Sequence, residues 1–124
     1  MATLLKIRDA QMVALEGLQR QTFGERAISL IRERYPQAWE RFGEAAVRDM
    51  VALALRKTRD HSITARADIL RYINGMFTLG CDFEVDPAYP WAREIMNQPR
   101  LTPESKINQL TARTLKYLQS LEQA

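Results

Sequence analysis

The sequence has very little of the chemistry that most enzymes and metal proteins need. It contains one cysteine, Cys81, and one histidine, His61, so an intramolecular disulfide, a cysteine zinc cage and a histidine-pair metal site are all excluded. Its five glycines are scattered along the chain and form no phosphate-binding loop. The longest apolar run is only a few residues, far short of the roughly 20 that a membrane-spanning helix requires. We therefore expect no cofactor, no metal and no membrane partner.

The sequence also has little excess of charge of either sign. The 124 residues hold 18 Lys and Arg against 15 Asp and Glu, a net charge of +3, and the basic residues are interleaved with acidic ones. A nucleic-acid-binding surface normally shows a dense basic stripe, so no nucleic-acid partner is expected. Residues 1–7 include one lysine but no long apolar core or small-residue cleavage site, which predicts a cytoplasmic protein.

Helical periodicity, by contrast, extends over nearly the whole chain. The apolar fraction of 46% and the charged fraction of 27% are ordinary for a soluble globular protein. Together these features predict an all-α fold. We expect a single helical domain over residues 1–124, arranged as a bundle of about five or six helices with one loop rich in proline and aromatic residues.

Capping residues, prolines and glycines predict where the first helices begin and end. A helix should start at Asp9 and run toward Arg20. The apolar face then changes phase, which predicts a break or bend near Gly24. Pro36 can open a short helix because its missing N–H costs nothing in a first turn, and Gly43 should end that helix.

The later helices have clearer boundaries and wider apolar faces. Thr64 is a good N-cap for one helix and Gly80 is a suitable residue after its end. Thr102 followed by Pro103 is a strong start signal for the last helix. The residues predicted to be buried on these faces are Val47, Met50, Val51, Ile69, Ile73, Phe77, Leu110 and Leu118.

Residues 81–91 interrupt the helical pattern and carry its most informative side chains. The stretch C-D-F-E-V-D-P-A-Y-P-W has two prolines, which stiffen a loop, with three acids and three aromatic rings. Such rings offer large contact area at low rotamer cost, as interface residues do. The candidate protein-interaction residues are Asp82, Phe83, Asp86, Tyr89 and Trp91. In the alternative interpretation, Phe83 and Trp91 fold back and close the end of the bundle. The two interpretations are compatible if one ring fixes the loop to the bundle while another contacts a partner.

The remaining reactive residue types do not form a catalytic pattern. His61 lies between two helices, which indicates an exposed or capping histidine in a turn. Cys81 precedes acidic residues that favour the thiol over the thiolate, which indicates a small buried or half-buried side chain. The acids of residues 82–86 alternate as in a calcium loop, but Pro87 stands where that loop needs glycine and Arg93 where it needs glutamate. We predict no catalytic residue, and expect alanine at position 61 or 81 to leave function intact.

The segment from Leu70 to Pro99 resembles the signature stretch of a group of small helical bacterial proteins. It reads L-R-Y-I-N-G-M-F-T-L-G-C-D-F-E-V-D-P-A-Y-P-W-A-R-E-I-M-N-Q-P. The pattern of the group is roughly R-Y-(I/L)-x-x-M-F-x-L-G-x-x-F-x-x-D-P-x-x-P-W-A-x-x-I-(L/M). The opening L-K-I-R-D-A-Q-M and the R-E-R-Y-P turn near residue 35 are similar to the group as well. Such proteins are commonly encoded beside type VI secretion spike, PAAR and toxin genes.

The resemblance implies a non-enzymatic accessory protein, an adaptor or co-chaperone that loads or stabilises a type VI secretion effector. The expected partner is therefore a protein: an effector, an adaptor or chaperone, or a PAAR-type protein. The alternative is an immunity protein that binds and blocks a co-encoded toxin, a role that often favours a strong acidic charge. An enzyme is the third class, for which the residues give no positive sign.

Overall fold

The computed structural model describes residues 22–123, which form helices joined by short turns. No strand occurs among these residues, so the predicted all-α bundle is confirmed there. The helix predicted from Asp9 to Arg20 lies outside the described residues. None of the described helices has both the length and the apolar character to cross a bilayer. The five helices are α1 over residues 22–34, α2 Pro36–Asp60, α3 Arg66–Leu79, α4 Pro90–Met96 and α5 Pro103–Gln123.

Helix α3 lies between its neighbours and contacts most of them. It packs against α2 on one side and α5 on another, while α4 lies against α5. Phe42, near the start of α2, stacks on Phe77, near the end of α3, with ring centroids 5.7 Å apart, so the two helices run in opposite directions. The largest fully buried side chains are Tyr72, Phe83, Ile31, Ile63, Ile73, Met76, Met96, Ile107, Leu110, Val47 and Thr58.

The predicted core is confirmed at six of its eight positions. Phe77 is only half-buried, because it closes the edge of the core beside Phe42. Leu118 is 38% exposed, and its predicted burial is wrong. Thr78 and Leu118 line the same groove, and α3 ends one residue after Thr78, so no described helix continues to cover that face of α5. The six buried residues are Val47, Met50, Val51, Ile69, Ile73 and Leu110.

Several helix boundaries follow the predicted signals. Gly43, with φ of 82°, interrupts the helical geometry of α2, so the residues from Pro36 to Phe42 form a short helical segment of their own. Gly80 follows α3 with φ of 107°, a conformation that favours glycine. Thr102 caps α5, because its Oγ1 accepts a hydrogen bond of 3.1 Å from the Ser105 N–H.

Two boundary predictions are wrong. Helix α3 begins at Arg66 after Ala65, and no side chain caps it, so Thr64 is not its N-cap. Helix α1 continues through Gly24 without the predicted break. Gly24 is buried, and a Cβ at this position would lie 3.2 Å from Leu55 Cδ1. The glycine therefore allows a close approach of α1 to α2.

Ile73 provides a direct test of the core. Its side chain is 1% exposed at the centre of α3, so Ile73→Ala should lower the free energy of unfolding by about 2–5 kcal/mol. Urea denaturation followed by far-UV circular dichroism measures the change. Asn74→Ala, at the exposed neighbouring position, is the control and should change stability by less than about 0.5 kcal/mol. A loss below about 1 kcal/mol for Ile73→Ala would contradict the assigned core.

Candidate functional site

The loop between α3 and α4 is ordered by its own hydrogen bonds. The backbone N–H groups of Val85 and Asp86 both donate to the Asp82 carbonyl, at 3.0 and 3.1 Å. The Tyr89 N–H donates to the Asp86 carbonyl at 3.0 Å, and the Ala88 N–H donates to Asp86 Oδ1 at 2.9 Å. Pro87 within the loop and Pro90 at the start of α4 further restrict the backbone. The loop therefore has a defined conformation before any partner binds.

Phe83 fixes the loop to the bundle. Its side chain is fully buried, and its ring lies 5.1 Å from the ring of Tyr72 at a tilt of 52°. A Cβ at Gly75 would lie 3.9 Å from Phe83 Cε1, so the ring packs closely on the backbone of α3. The prediction that Phe83 offers contact area to a partner is therefore wrong. Phe83 instead packs into the core, as in the alternative interpretation in which it folds back onto the bundle.

Glu84 forms a second attachment, which holds the loop by polar contacts. Its Oε1 lies 2.6 Å from His61 Nε2, and its Oε2 accepts a hydrogen bond from the Tyr72 hydroxyl. The side chains of His61 and Glu84 are only 14% and 12% exposed. We call these three residues, His61, Tyr72 and Glu84, the Glu84 cluster. It joins the turn after α2, the middle of α3 and the loop.

The Glu84 cluster changes the interpretation of His61. The residue does lie in a turn, at the C-terminal end of α2, and the following Ser62 has a positive φ of 59°. The predicted capping position is confirmed, because the backbone N–H of His61 donates to carbonyl groups in the last turn of α2. Its ring, however, is half-buried and contacts the Glu84 carboxylate. That His61→Ala leaves function intact stays a prediction.

The electrostatics of the cluster favour an ionised Glu84. Burial alone raises the pKa of the Glu84 carboxyl, but the hydrogen bonds from His61 and Tyr72, with the charges of His61 and Lys57, outweigh burial and lower it. Burial, the hydrogen bond to Glu84, and the negative charges of Glu84 and Asp60 all raise the pKa of the Tyr72 hydroxyl. Tyr72 therefore stays a neutral donor, and Glu84 a charged acceptor.

An aromatic group lies on the other side of the loop. Tyr89 contacts Trp91 edge-on, with ring centroids 5.9 Å apart, and contacts Tyr117 of α5 in the same manner at 5.3 Å. The guanidinium of Arg113 lies 5.4 Å from the centre of the Trp91 ring. All three rings are half-buried, so they pack on α5 and still present an edge to solvent.

The outer side of the loop forms an open groove with α4. Val85 is 67% exposed at its rim, and Asp86 is half-buried beside it. The sequence reasoning missed Val85, because an exposed valine between two acids gives no periodic signal. It also missed Tyr117, whose contribution depends on how α5 packs. The groove is lined by Val85, Asp86, Pro87, Pro90, Arg93, Glu94, Asn97, Gln98 and Pro99.

The five predicted interaction residues therefore separate into different environments. Phe83 lies in the core, Asp82 is exposed at the start of the loop, and Asp86, Tyr89 and Trp91 are half-buried at its surface.

Cys81 is exposed rather than buried or half-buried as predicted. Partial burial and the charge of Asp82 raise the pKa of its thiol, so the unreactive protonated form is favoured. Within residues 22–123, no group of three or more histidine, cysteine or carboxylate side chains is placed to hold a metal ion.

Comparison of the chain with protein-family models, with curated proteins and with solved structures finds no match.

Proposed function

We propose that this chain is a non-enzymatic accessory protein, an adaptor or co-chaperone that binds another protein through the loop between α3 and α4. The binding region, here named the loop surface, consists of the exposed side of Val85, Asp86, Tyr89 and Trp91 together with the groove beside α4. The resemblance of residues 70–99 to proteins encoded beside type VI secretion genes makes an effector, an adaptor or a PAAR-type protein the partner of choice.

The observation that carries the proposal is the ordering of the loop before binding. Phe83 and Glu84 attach the loop to the bundle, and backbone hydrogen bonds set its turns. Little conformational entropy is therefore lost when the surface meets a partner, so more of the contact energy appears as affinity.

The chemistry of the loop surface indicates what a partner should offer. Val85, Pro87 and Pro90 line the groove, which favours an apolar side chain that enters it, and the edges of Tyr89 and Trp91 offer further apolar area outside the groove. Asp86 and Glu94 place negative charge on its rim, while Arg93 contributes one positive charge. We expect the partner to present an apolar residue flanked by a basic one, because complementary charges set orientation and reject wrong partners.

Val85→Lys should weaken partner capture at least tenfold while leaving the melting temperature within a few degrees. The substitution places a charge at the centre of the loop surface, and Val85 has few contacts to lose because it is 67% exposed. Affinity is measured by biolayer interferometry against the separately purified products of the genes that flank the gene for this chain. Ala52→Lys, at an exposed position of α2, adds the same charge elsewhere and should bind like the wild type.

Asp86→Asn separates charge from loop geometry. Asparagine keeps the Oδ1 acceptor for the Ala88 N–H, so the loop turn should persist while the negative charge is lost. Capture should then fall several-fold and lose part of its salt dependence. If Val85→Lys and Asp86→Asn both stay folded and capture the partner as the wild type does, the surface is misassigned. Binding to an isolated toxin domain, with rescue of cells that produce it, would instead support the immunity alternative.

A further inference from the structure

The apolar face of α5 continues beyond the part of the helix that is buried. Ile107 and Leu110 are the buried residues of α5, and both lie in its first eight positions. Leu118 follows Ile107 by eleven residues, and Leu121 follows Leu110 by eleven, which is almost three whole turns. The same face therefore returns in the second half of the helix. There Leu118 and Leu121 are 38% and 55% exposed, and Leu115 beside them is 56% exposed.

A groove lies next to these leucines, between α3 and α5. Small side chains line it, from Gly75 and Thr78 of α3 and Thr111 and Thr114 of α5, and Leu110, Leu115 and Leu118 line it as well. Its volume is about 140 Å³, and Arg71 lies among its lining residues. Small side chains between two helices leave a groove into which a ridge of side chains from another helix can pack. One surface of the molecule thus carries both a leucine ridge and a groove that accepts one.

We propose that this surface is a symmetric interface between two copies of the chain, in which the two α5 helices pair in opposite directions. A two-fold dimer uses the same patch on both copies, so the patch must be complementary to itself. The leucine ridge and the small-residue groove meet that condition, because the ridge of each copy faces the groove of the other. We call this patch the α5 face.

The charges along α5 fit the antiparallel arrangement. With Leu115 on the two-fold axis, a residue n positions after it lies opposite the residue n positions before it. Leu118 then faces Ala112 of the second copy, over the small side chains of Thr111 and Thr114. Glu122, seven positions after Leu115, faces Asn108, seven positions before it.

In this register, the positive charge of Arg71 lies opposite the negative charge of Glu122 of the second copy. Its Nη1 donates to Asn108 Oδ1 at 2.9 Å, so a guanidinium lies at the position that Glu122 of the second copy reaches. Arg71 also pairs with Asp68, and its side chain is 36% exposed and open to a further acceptor. Glu122 forms no ion pair with any residue in the described part of the chain.

The size of the contact predicts a weak, reversible dimer. The stretch from Asn108 to Glu122 is about 21 Å long and a helix is about 10 Å wide, so α5 covers about 200 Å² on each copy and about 400 Å² on the two copies together. This contact is small for a specific interface, so we expect a weak dimer that forms only at the upper end of the tested concentrations. Tyr117 contacts Tyr89 on another side of α5, about 200° around the helix from Leu115, so dimerisation leaves the loop surface open. The inference does not rest on the proposed function.

Sedimentation velocity of the full chain, from about 1 µM to several hundred µM, tests the proposal. The wild type should shift reversibly from monomer to dimer as its concentration rises. Leu118→Lys should raise the dissociation constant at least tenfold, since it buries two lysines in the contact. Ala52→Lys, at an exposed position of α2, adds the same charge outside the α5 face and should dimerise like the wild type. Glu122→Lys should weaken the dimer several-fold at low salt and less at high salt.

Three results would overturn the dimer. In the first, the wild type stays monomeric throughout the concentration range, and Leu118→Lys lowers the melting temperature by more than a few degrees. That result would mean that the α5 face is covered by another part of the same chain. In the second, the wild type stays monomeric and Leu118→Lys does not change the melting temperature. That result would mean that the α5 face binds a different protein. The third is a Leu118→Lys variant that dimerises like the wild type.

Discussion

Phe83→Ala should lower the free energy of unfolding by about 3–5 kcal/mol, the largest effect of any single substitution in the loop. The ring is fully buried between α3 and the loop and lies 5.1 Å from the ring of Tyr72. Alanine leaves a cavity that cannot collapse, because the Glu84 cluster and the loop turns hold the walls apart. Chemical denaturation monitored by circular dichroism gives the value.

The control for Phe83→Ala lies two residues away on the same loop. Val85 is 67% exposed, so Val85→Ala should change stability by less than about 0.5 kcal/mol. Equal losses for the two variants would show that the loop is destabilised by any change in sequence. A loss below about 1 kcal/mol for Phe83→Ala would mean that the ring is not part of the core.

The second large effect is expected at Glu84. Glu84→Gln should lower the free energy of unfolding by about 1–3 kcal/mol at neutral pH. The carboxylate uses one oxygen for His61 and the other for Tyr72, whereas the glutamine amide has a single oxygen acceptor. The substitution preserves shape and volume, so the change reports the charge and the lost acceptor rather than packing. Glu94→Gln, on the exposed side of α4, is the matched control and should be nearly neutral.

The dependence of this difference on pH follows from the direction of the pKa shift. The pKa of Glu84 is lower in the folded protein than the ordinary value of about 4.3, so ionisation stabilises the fold. This contribution is fully present above the ordinary pKa and is lost as the pH falls through the lowered one. The stability difference between the wild type and Glu84→Gln should therefore persist at neutral pH and shrink below about pH 4. A difference that stays constant down to pH 2 would show that the charge of Glu84 contributes nothing.

The fold class could be read from the sequence because it depends on local and periodic signals. Apolar spacing identified α2, α3 and α5, and placed Ile73 and Leu110 on buried faces. Gly43, Gly80 and Thr102 marked boundaries where the backbone conformation or the capping hydrogen bond is a property of a few neighbouring residues. Such features need no knowledge of the rest of the molecule.

The candidate site was located only to the level of a segment. Proline and aromatic content singled out residues 81–91, but it could not tell which rings face inward. Phe83 and Tyr89 have similar chemistry and lie six residues apart in a loop, where no fixed period assigns a side chain to a face. Their different burial follows from the position of the loop over α3 and α5.

Contacts between distant residues account for what the sequence did not reveal. His61 and Glu84 are 23 residues apart, and their side chains meet only because α2, α3 and the loop return to one place in space. Leu118 continues the apolar face of Ile107, and periodicity alone therefore predicts its burial. Its exposure is set by the end of α3 near Thr78, which leaves the second half of α5 without a neighbour among the described helices. Periodicity shows which face of a helix is apolar, whereas the lengths and packing of the surrounding helices determine how much of that face is covered.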